Sequence, residues 1–282
     1  MRKFLRGLSC ILLLCTLPIL PLCSAARQPE RYLAITFDDG PSGRFTARLL
    51  DGLSERGVHA TFFLCGYRID QYPELAERIA REGHEIGIHG DAHKFFTQLS
   101  PSGVCADLKA AEEKIESAAG QRPTLLRPPG GLFDMEVLGQ TVCAELPVVL
   151  WSLDTEDWHR TNSAAIASDI VRDAKNGDII LMHDMSDSSV NAALSAIDAL
   201  TEKGFCFLTV SELAQKADTP LTGGQAYYRF SIAEKKDSSS EREAFTEPWT
   251  KPGFPPPRPE KFSFRHRASG RTSPSACPMA YL

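Results

Sequence analysis

Seven apolar, strand-like runs alternate with seven amphipathic stretches between residues 32 and 217, and this alternation constrains the fold more than any other feature. The runs lie near 32–37, 59–65, 85–89, 124–127, 147–153, 178–183 and 205–210. The helical patterns between them cover 45–56, 72–82, 102–119, 134–145, 163–175, 190–203 and a short 211–217. Ser102 and Ser163 stand where helices should start, and Gly57, Gly83, Gly120 and Gly204 where they should stop. Strands that alternate with helices pair in parallel, and at this length such a sheet closes, or nearly closes, into an α/β barrel. An open doubly wound sheet is the alternative. In both architectures chemistry belongs at the C-terminal ends of the strands, so unusual polar residues should recur there.

Composition separates this body from its two ends. Residues 1–26 carry Arg2, Lys3 and Arg6, an apolar stretch from Ile11 to Leu22, and the small residues Ser24-Ala25-Ala26. That pattern is a secretory signal peptide whose apolar part is short for a membrane span, so no transmembrane helix is expected in the mature chain. A lipid anchor on Cys23 is disfavoured by the bulky Leu22 before it. Residues 27–217 hold 18 Lys and Arg against 29 Asp and Glu, a net of −11, which argues against nucleic acid as a partner. Residues 218–282 hold 10 against 7, a net of +3, with eight prolines between Pro248 and Pro278 and a Ser238-Ser239-Ser240 run. We expect this segment to be a disordered or extended tail. Five cysteines, Cys65, Cys105, Cys143, Cys206 and Cys277, lie outside the signal, scattered and odd in number, so neither a disulfide framework nor thiol chemistry is expected.

Polar clusters do recur at the strand ends. The first strand ends in Asp38-Asp39-Gly40-Pro41, the third in His89-Gly-Asp-Ala-His93, and the fourth in Arg127-Pro-Pro-Gly130-Gly131. The fifth ends in Asp154-Thr-Glu-Asp157-Trp158, and the sixth in His183-Asp184. An Asp-Gly-Pro turn alone is ordinary surface chemistry; five such clusters on one face make a site. Two imidazoles and a carboxylate with open positions suit a borderline divalent cation such as zinc, with cobalt, iron or manganese as alternatives. His89 and His93 supply the nitrogens and one of Asp38 and Asp39 the oxygen. The other carboxylate is left to take a proton from water, oriented by the fixed charge of Arg127. His183 can protonate a leaving group, with a nearby Asp to set its tautomer, and backbone N–H groups around Gly130 can hold an oxyanion. Together these parts perform hydrolysis of a carbonyl compound.

The five clusters in this order resemble the polysaccharide deacetylases of the NodB-homology type, carbohydrate esterase family 4. The likeness runs from about Tyr32 to Leu213 and includes Ala60-Thr61-Phe62-Phe63 and Tyr72-Pro73-Glu74-Leu75. It implies a distorted (β/α)7 barrel over 27–217 that removes N-acetyl, sometimes O-acetyl, groups from polymeric sugars. It implies Asp38 as catalytic base and Asp39, His89 and His93 as metal ligands. It also implies Arg127 as the brace of the base, Asp157 as the partner of His183, the general acid, and Trp158 and Leu181 as the lining for the acetyl methyl. Two positions depart from the family's usual pattern. Gly90 stands where Ser or Thr is usual, and Gly130 where an aromatic is usual.

The expected protein is therefore a secreted or envelope-associated, metal-dependent deacetylase of N-acetylated glycan, peptidoglycan or a chitin-like polymer. An acetyl-xylan esterase using the same site is the rival enzyme. A wall-binding protein without turnover is the rival of another class, and the intact ligand set argues against it. Oligomeric state is left open by the sequence.

Overall fold

A computed structural model of the chain describes residues 31–139 and 145–232. The signal-like segment 1–26 and the greater part of the basic tail lie outside the described residues. Among those described, the elements run β1 (Arg31–Asp38), α1 (Gly43–Arg56), β2 (Thr61–Leu64), α2 (Gly66–Ile69), α3 (Pro73–Arg81), β3 (Glu85–Ile88) and α4 (Pro101–Ala119). They continue β4 (Leu125–Leu126), α5 (Met135–Leu138), β5 (Val148–Val149), β6 (Leu153–Asp154), α6 (Ser163–Asp173), β7 (Ile179–His183), α7 (Asp187–Glu202), β8 (Phe205–Phe207), α8 (Val210–Lys216) and β9 (Ala226–Tyr227). Stop chemistry agrees with the sequence, Gly57 and Gly120 ending α1 and α4 in left-handed backbone, whereas the starts are shifted: Ser100, not Ser102, accepts from the Gly103 amide at the head of α4, and Asn162, not Ser163, accepts from the Ala165 amide at the head of α6.

All nine strands belong to one sheet with parallel pairing, ordered β6-β7-β1-β2-β3-β4-β5-β9, with β8 paired to the first residues of β1. The sheet curls into the distorted parallel barrel that the alternation predicts. Successive side chains on a strand point to opposite faces, and two apolar clusters follow from this. Leu33, Ile35, Phe37, Phe62, Leu64, Ile86, Ile88, Ile180 and Met182 face outward against helix residues such as Leu49, Leu53, Ile79 and Leu108. Ala34, Phe63, Leu125, Val149 and Ile179 face inward and are capped from below by Val210, Leu213, Tyr227 and Phe230.

Two differences from the sequence reading matter. The strand expected over 147–153 is split, its first part pairing with β4 and its last part with β7. Between the two parts the Leu150 amide donates to the Tyr227 carbonyl and the Ser152 amide to the Ile179 carbonyl, while the carbonyls of Val149 and Leu150 accept hydrogen bonds from the Arg127 side chain. The expectation of a tail from residue 218 is also corrected. Residues 218–232 belong to the body: β9 pairs with β5, Arg229 bridges to Asp178, and the Phe230 amide donates to the Gly177 carbonyl at 2.8 Å. A side chain on Gly177 would run into the Phe230 carbonyl, so glycine is required there. The sequence hid this segment because a two-residue strand has no periodicity of its own. Of the amphipathic run 134–145, Met135–Leu138 is helical and 140–144 lie outside the described residues.

No helix among the described residues is long and apolar enough to cross a membrane. Cys65, Cys105 and Cys206 are free thiols, and Cys143 and Cys277 lie outside the described residues.

Candidate active site

Strand alternation assembles the site. In β1 the inward positions are Ala34, Thr36 and Asp38, and in β7 they are Ile179, Leu181 and His183. The same parity carried one residue past β3 and β4 turns His89 and Arg127 inward. Five polar side chains, Thr36, Asp38, His89, Arg127 and His183, thus gather toward the C-terminal mouth of the lumen.

Arg127 is wholly buried, and its guanidinium makes four hydrogen bonds. Nε donates to the Val149 carbonyl at 3.0 Å, Nη2 to the Leu150 carbonyl at 2.8 Å, and Nη1 to Thr36 Oγ1 and Asp38 Oδ1, both at 2.7 Å. Its flat face lies 4.0 Å from the centre of the Phe63 ring. Burial draws the guanidinium below its ordinary value and the Asp38 charge opposes that shift, so the side chain stays cationic. Asp38 is 3% exposed and cannot swing away from this anchor.

Alternation alone would send Asp39 to the opposite side from Asp38. A left-handed backbone at Asp39, φ 70°, turns it back toward the same cavity. Non-glycine residues adopt that conformation rarely, Asp, Asn and His most readily, and His93 adopts it too, at φ 51°. Asp39 Oδ1 lies 3.3 Å from His89 Nε2 and 3.0 Å from His93 Nε2, and the three ligand atoms fall within 4.8 Å of one another. His89 Nδ1 sits 2.7 Å from the Arg127 carbonyl, which fixes the hydrogen on Nδ1 and leaves Nε2 as a lone pair. Asp39 Oδ1 is buried without a hydrogen-bond donor. Lone pairs facing one another across so short a gap call for a proton or a cation between them. Burial would raise the Asp39 carboxyl, yet with protons on the imidazoles the hydrogen bonds and charge of His89 and His93 outweigh burial and hold it well below the usual carboxylate range. These residues fit a divalent cation.

The loop between the two histidines is held from outside. Asp107 on α4 accepts the Asp91 and Ala92 amides at 2.8 and 3.1 Å. A Cβ on Gly90, φ +77°, would sit 2.7 Å from the same carboxylate, so the glycine makes room for it. Lys114 ties Asp91 to Asp70 at 2.7 and 2.6 Å. A long-range carboxylate thus grips the loop where the family usually has a local hydroxyl.

His183 is gripped twice by Asp157. Its Nδ1 lies 2.8 Å from Oδ1 and its backbone amide donates to Oδ2 at 2.9 Å. Thr155 donates to the Leu181 carbonyl at 2.8 Å and lies 3.2 Å from Asp157 Oδ1. Burial would lower His183, but the Asp157 hydrogen bond and charge, helped by Asp39 and Asp38, lift it to about 9. Its Nε2 faces Asp39 Oδ2 at 4.0 Å.

Asp38, Asp39, His89, His93, Arg127, Asp157 and His183 are therefore brought together. Gly130 lies exposed beside them in left-handed backbone, φ 63°. Leu181 is buried within β7, whereas Trp158 is 56% exposed at the rim, its ring 4.4 Å from His159. Four supporting residues were given no role by the sequence reading: Thr36, Asp107, Thr155 and Asp184. Thr36 shares the parity of Asp38 and could have been found by it. Asp107 depends on how α4 docks and has no local signal. Asp184 is wholly buried, accepts from the Thr46 hydroxyl, and is pushed up to about 7, by burial first and the Asp39 charge next.

Comparisons with known proteins converge on one family. The family profile described as polysaccharide deacetylase matches residues 25–149. Peptidoglycan-N-acetylmuramic acid deacetylase PdaC of Bacillus subtilis is 38% identical over 186 residues, 66% of this chain and 39% of that protein. A peptidoglycan-N-acetylglucosamine deacetylase of Bacillus cereus is 38% identical over 189 residues, 65% of this chain and 88% of that protein. A solved family 4 acetyl xylan esterase from Clostridium thermocellum, in complex with a cobalt ion, aligns with a TM-score of 0.66 at 29% identity, covering 71% of this chain and 98% of the other. The chain spans about two fifths of the length of the Bacillus subtilis relative.

Proposed function

The chain belongs to the polysaccharide deacetylase family, and from that membership we propose that it hydrolyses the acetamide of N-acetylated glycan units, releasing acetate and a free amine. One relationship supports the reading above all. A base candidate fixed by a buried arginine and an acid candidate fixed by a buried aspartate both border the Asp39–His89–His93 cluster, at 3.6 Å (Asp38 Oδ2 to His89 Nε2) and 4.0 Å (His183 Nε2 to Asp39 Oδ2).

In this reading Asp39, His89 and His93 hold a divalent cation, zinc by the donor set, with cobalt, iron or manganese as alternatives. Such an ion polarises the acetyl carbonyl and acidifies water when bound. Asp38 takes the proton of the attacking water through Oδ2, while Oδ1 stays bonded to Arg127, so the base cannot rotate away. The Gly130 amide donates to the carbonyl oxygen as charge builds on it. His183, held as the imidazolium by Asp157, gives its Nε2 proton to the departing amine. Leu181 and Trp158 border the methyl, a contact that penalises larger acyl groups by a few kcal/mol at most, on the order of one tenfold step per methylene.

Peptidoglycan is the first substrate to test, because the Bacillus relatives carry that polymer in their names; a chitin-type N-acetylglucosamine polymer is next. Residues 1–26 are read as an export signal, which puts the activity at the cell envelope. The acetyl xylan esterase likeness, at 98% coverage of that structure, supports a second reading on an ester. Acetate release from peptidoglycan, N-acetylglucosamine hexamer and acetylated xylan, with and without chelator, decides among them. Activity that survives chelation, or full activity in Asp38→Asn, overturns the assignment.

A further inference from the structure

Four large apolar side chains stand out as exposed among the described residues: Phe95, Leu132, Trp158 and Tyr228, at 37, 37, 56 and 45%. Three of them ride on loops that also carry site residues. Phe95 follows His93 by two positions, Leu132 follows Gly130 by two, and Trp158 adjoins Asp157. Exposed aromatic surface gathered around a polar mouth marks a place where a ligand lies.

Phe95 has the most specific surroundings. Its neighbour Phe96 points into the core, 3% exposed, and the turn Phe96–Gln98 begins there, so the loop is pinned with the Phe95 ring left outside. The ring leans against Gly130: a Cβ at that position would approach Phe95 Cε1 to 2.8 Å. On the other side of the same turn, a Cβ on Gly131 would approach the Trp151 ring to 2.9 Å. The two consecutive left-handed glycines, φ 63° and 68°, are the space into which two aromatic rings fit.

We infer that Phe95 is the stacking platform for a pyranose ring of the glycan beside the unit being deacetylated. The apolar C–H face of a pyranose matches an aromatic face in size and polarity, and Phe95 sits at the rim of the Asp38–His183 mouth, on the loop of His93 and against Gly130. Gly130 then has two tasks, presenting its amide to the acetyl oxygen and giving the Phe95 ring room. This places substrate recognition on the β3–α4 loop, on a residue that the sequence reading did not single out. The inference rests on the glycan deacetylase reading of the site.

The test compares wild type, Phe95→Ala and Phe95→Trp on N-acetylglucosamine hexamer, by acetate release and by calorimetric titration. Phe95→Ala is expected to raise KM and Kd about fivefold, the scale of one aromatic stacking contact, with kcat held within about twofold. Phe95→Trp is expected to restore both. A fall in kcat at unchanged KM, a loss that Trp fails to restore, or an unchanged KM and Kd in Phe95→Ala overturns the platform. Wild type that binds hexamer but releases no acetate from it or from peptidoglycan contradicts the deacetylase reading, while the Kd comparison still decides the platform. Wild type that does not bind the hexamer overturns the platform itself.

Discussion

Arg127 Nη1 and Asp38 Oδ1 meet at 2.7 Å with both side chains buried, and Asp38 is the one charged acceptor among the four groups the guanidinium reaches. The two side chains are therefore a unit. Removing either leaves an uncompensated group in a low dielectric.

Arg127→Met should destabilise the protein by about 3–5 kcal/mol, the cost of breaking a buried pair from one side. Asp38→Asn keeps an acceptor for Nη1 and should fold, but acetate release should fall by about 10²–10⁴ with the proton acceptor gone. The double variant should be less destabilised than the sum of the two single changes. Denaturant melts of the four proteins read the first and third statements. Additive losses would mean the contact carries no coupling.

The acid has a pH signature. His183 is lifted from 6.5 to about 9, against burial, by Asp157 first and then by Asp39 and Asp38. Its proton is present below that value and lost as pH rises through it, so kcat/KM should fall on the alkaline side. A cation on Asp39 cancels part of the carboxylate contribution, which brings the limb of the loaded enzyme below 9. Asp157→Asn should move the limb further down. By linkage, the same shift stabilises the fold fully below about 6.5 and ceases to do so as pH passes about 9. Profiles of wild type and variant check this, and coincident alkaline limbs would exclude His183 as the group that titrates.

Chelation should abolish acetate release and lower the melting temperature, since an ion bound only to the native state stabilises it. Added zinc or cobalt should restore both. Asp107→Ala should weaken metal affinity by about 10–100-fold, the usual effect of losing a group that orients the ligands. It does so without touching an ion, by freeing the Asp91 and Ala92 amides. Calorimetric titration of zinc into the stripped protein reads this directly; unchanged affinity would show that the loop holds itself.

Truncation separates body from tail. A chain ending at residue 217 loses β9 together with Tyr227 and Phe230 from the floor of the lumen, and should lose about 3 kcal/mol or more. A chain ending at residue 232 should melt as the full chain does. Equal melts for the two truncations would show that residues 218–232 add nothing.

Much of this was legible before any coordinates. The alternation of strands and helices predicts function at the strand C-termini, and the five strand-end clusters predict one site. What escaped depends on tertiary demands. The split of the run 147–153 between two neighbouring strands accompanies the two carbonyls that Arg127 takes there, and no local propensity records that. β9 is ordered by its partners. Asp107 reaches back to the histidine loop from the helix that follows it, which only the docking of α4 decides, and Phe95 carries no signal that tells it from Phe96, the neighbour that takes the core position.

The left-handed turn at Asp39 fixes more than a direction. Because base and ligand are consecutive residues, a single planar peptide sets the span between their α-carbons, about 3.8 Å. That span is a covalent ruler which neither packing nor substrate can stretch. On the proposed reading, the α-carbons of proton acceptor and metal ligand keep that span whatever the glycan, so a change in the sugar gripped falls more easily on rim loops such as the one bearing Phe95.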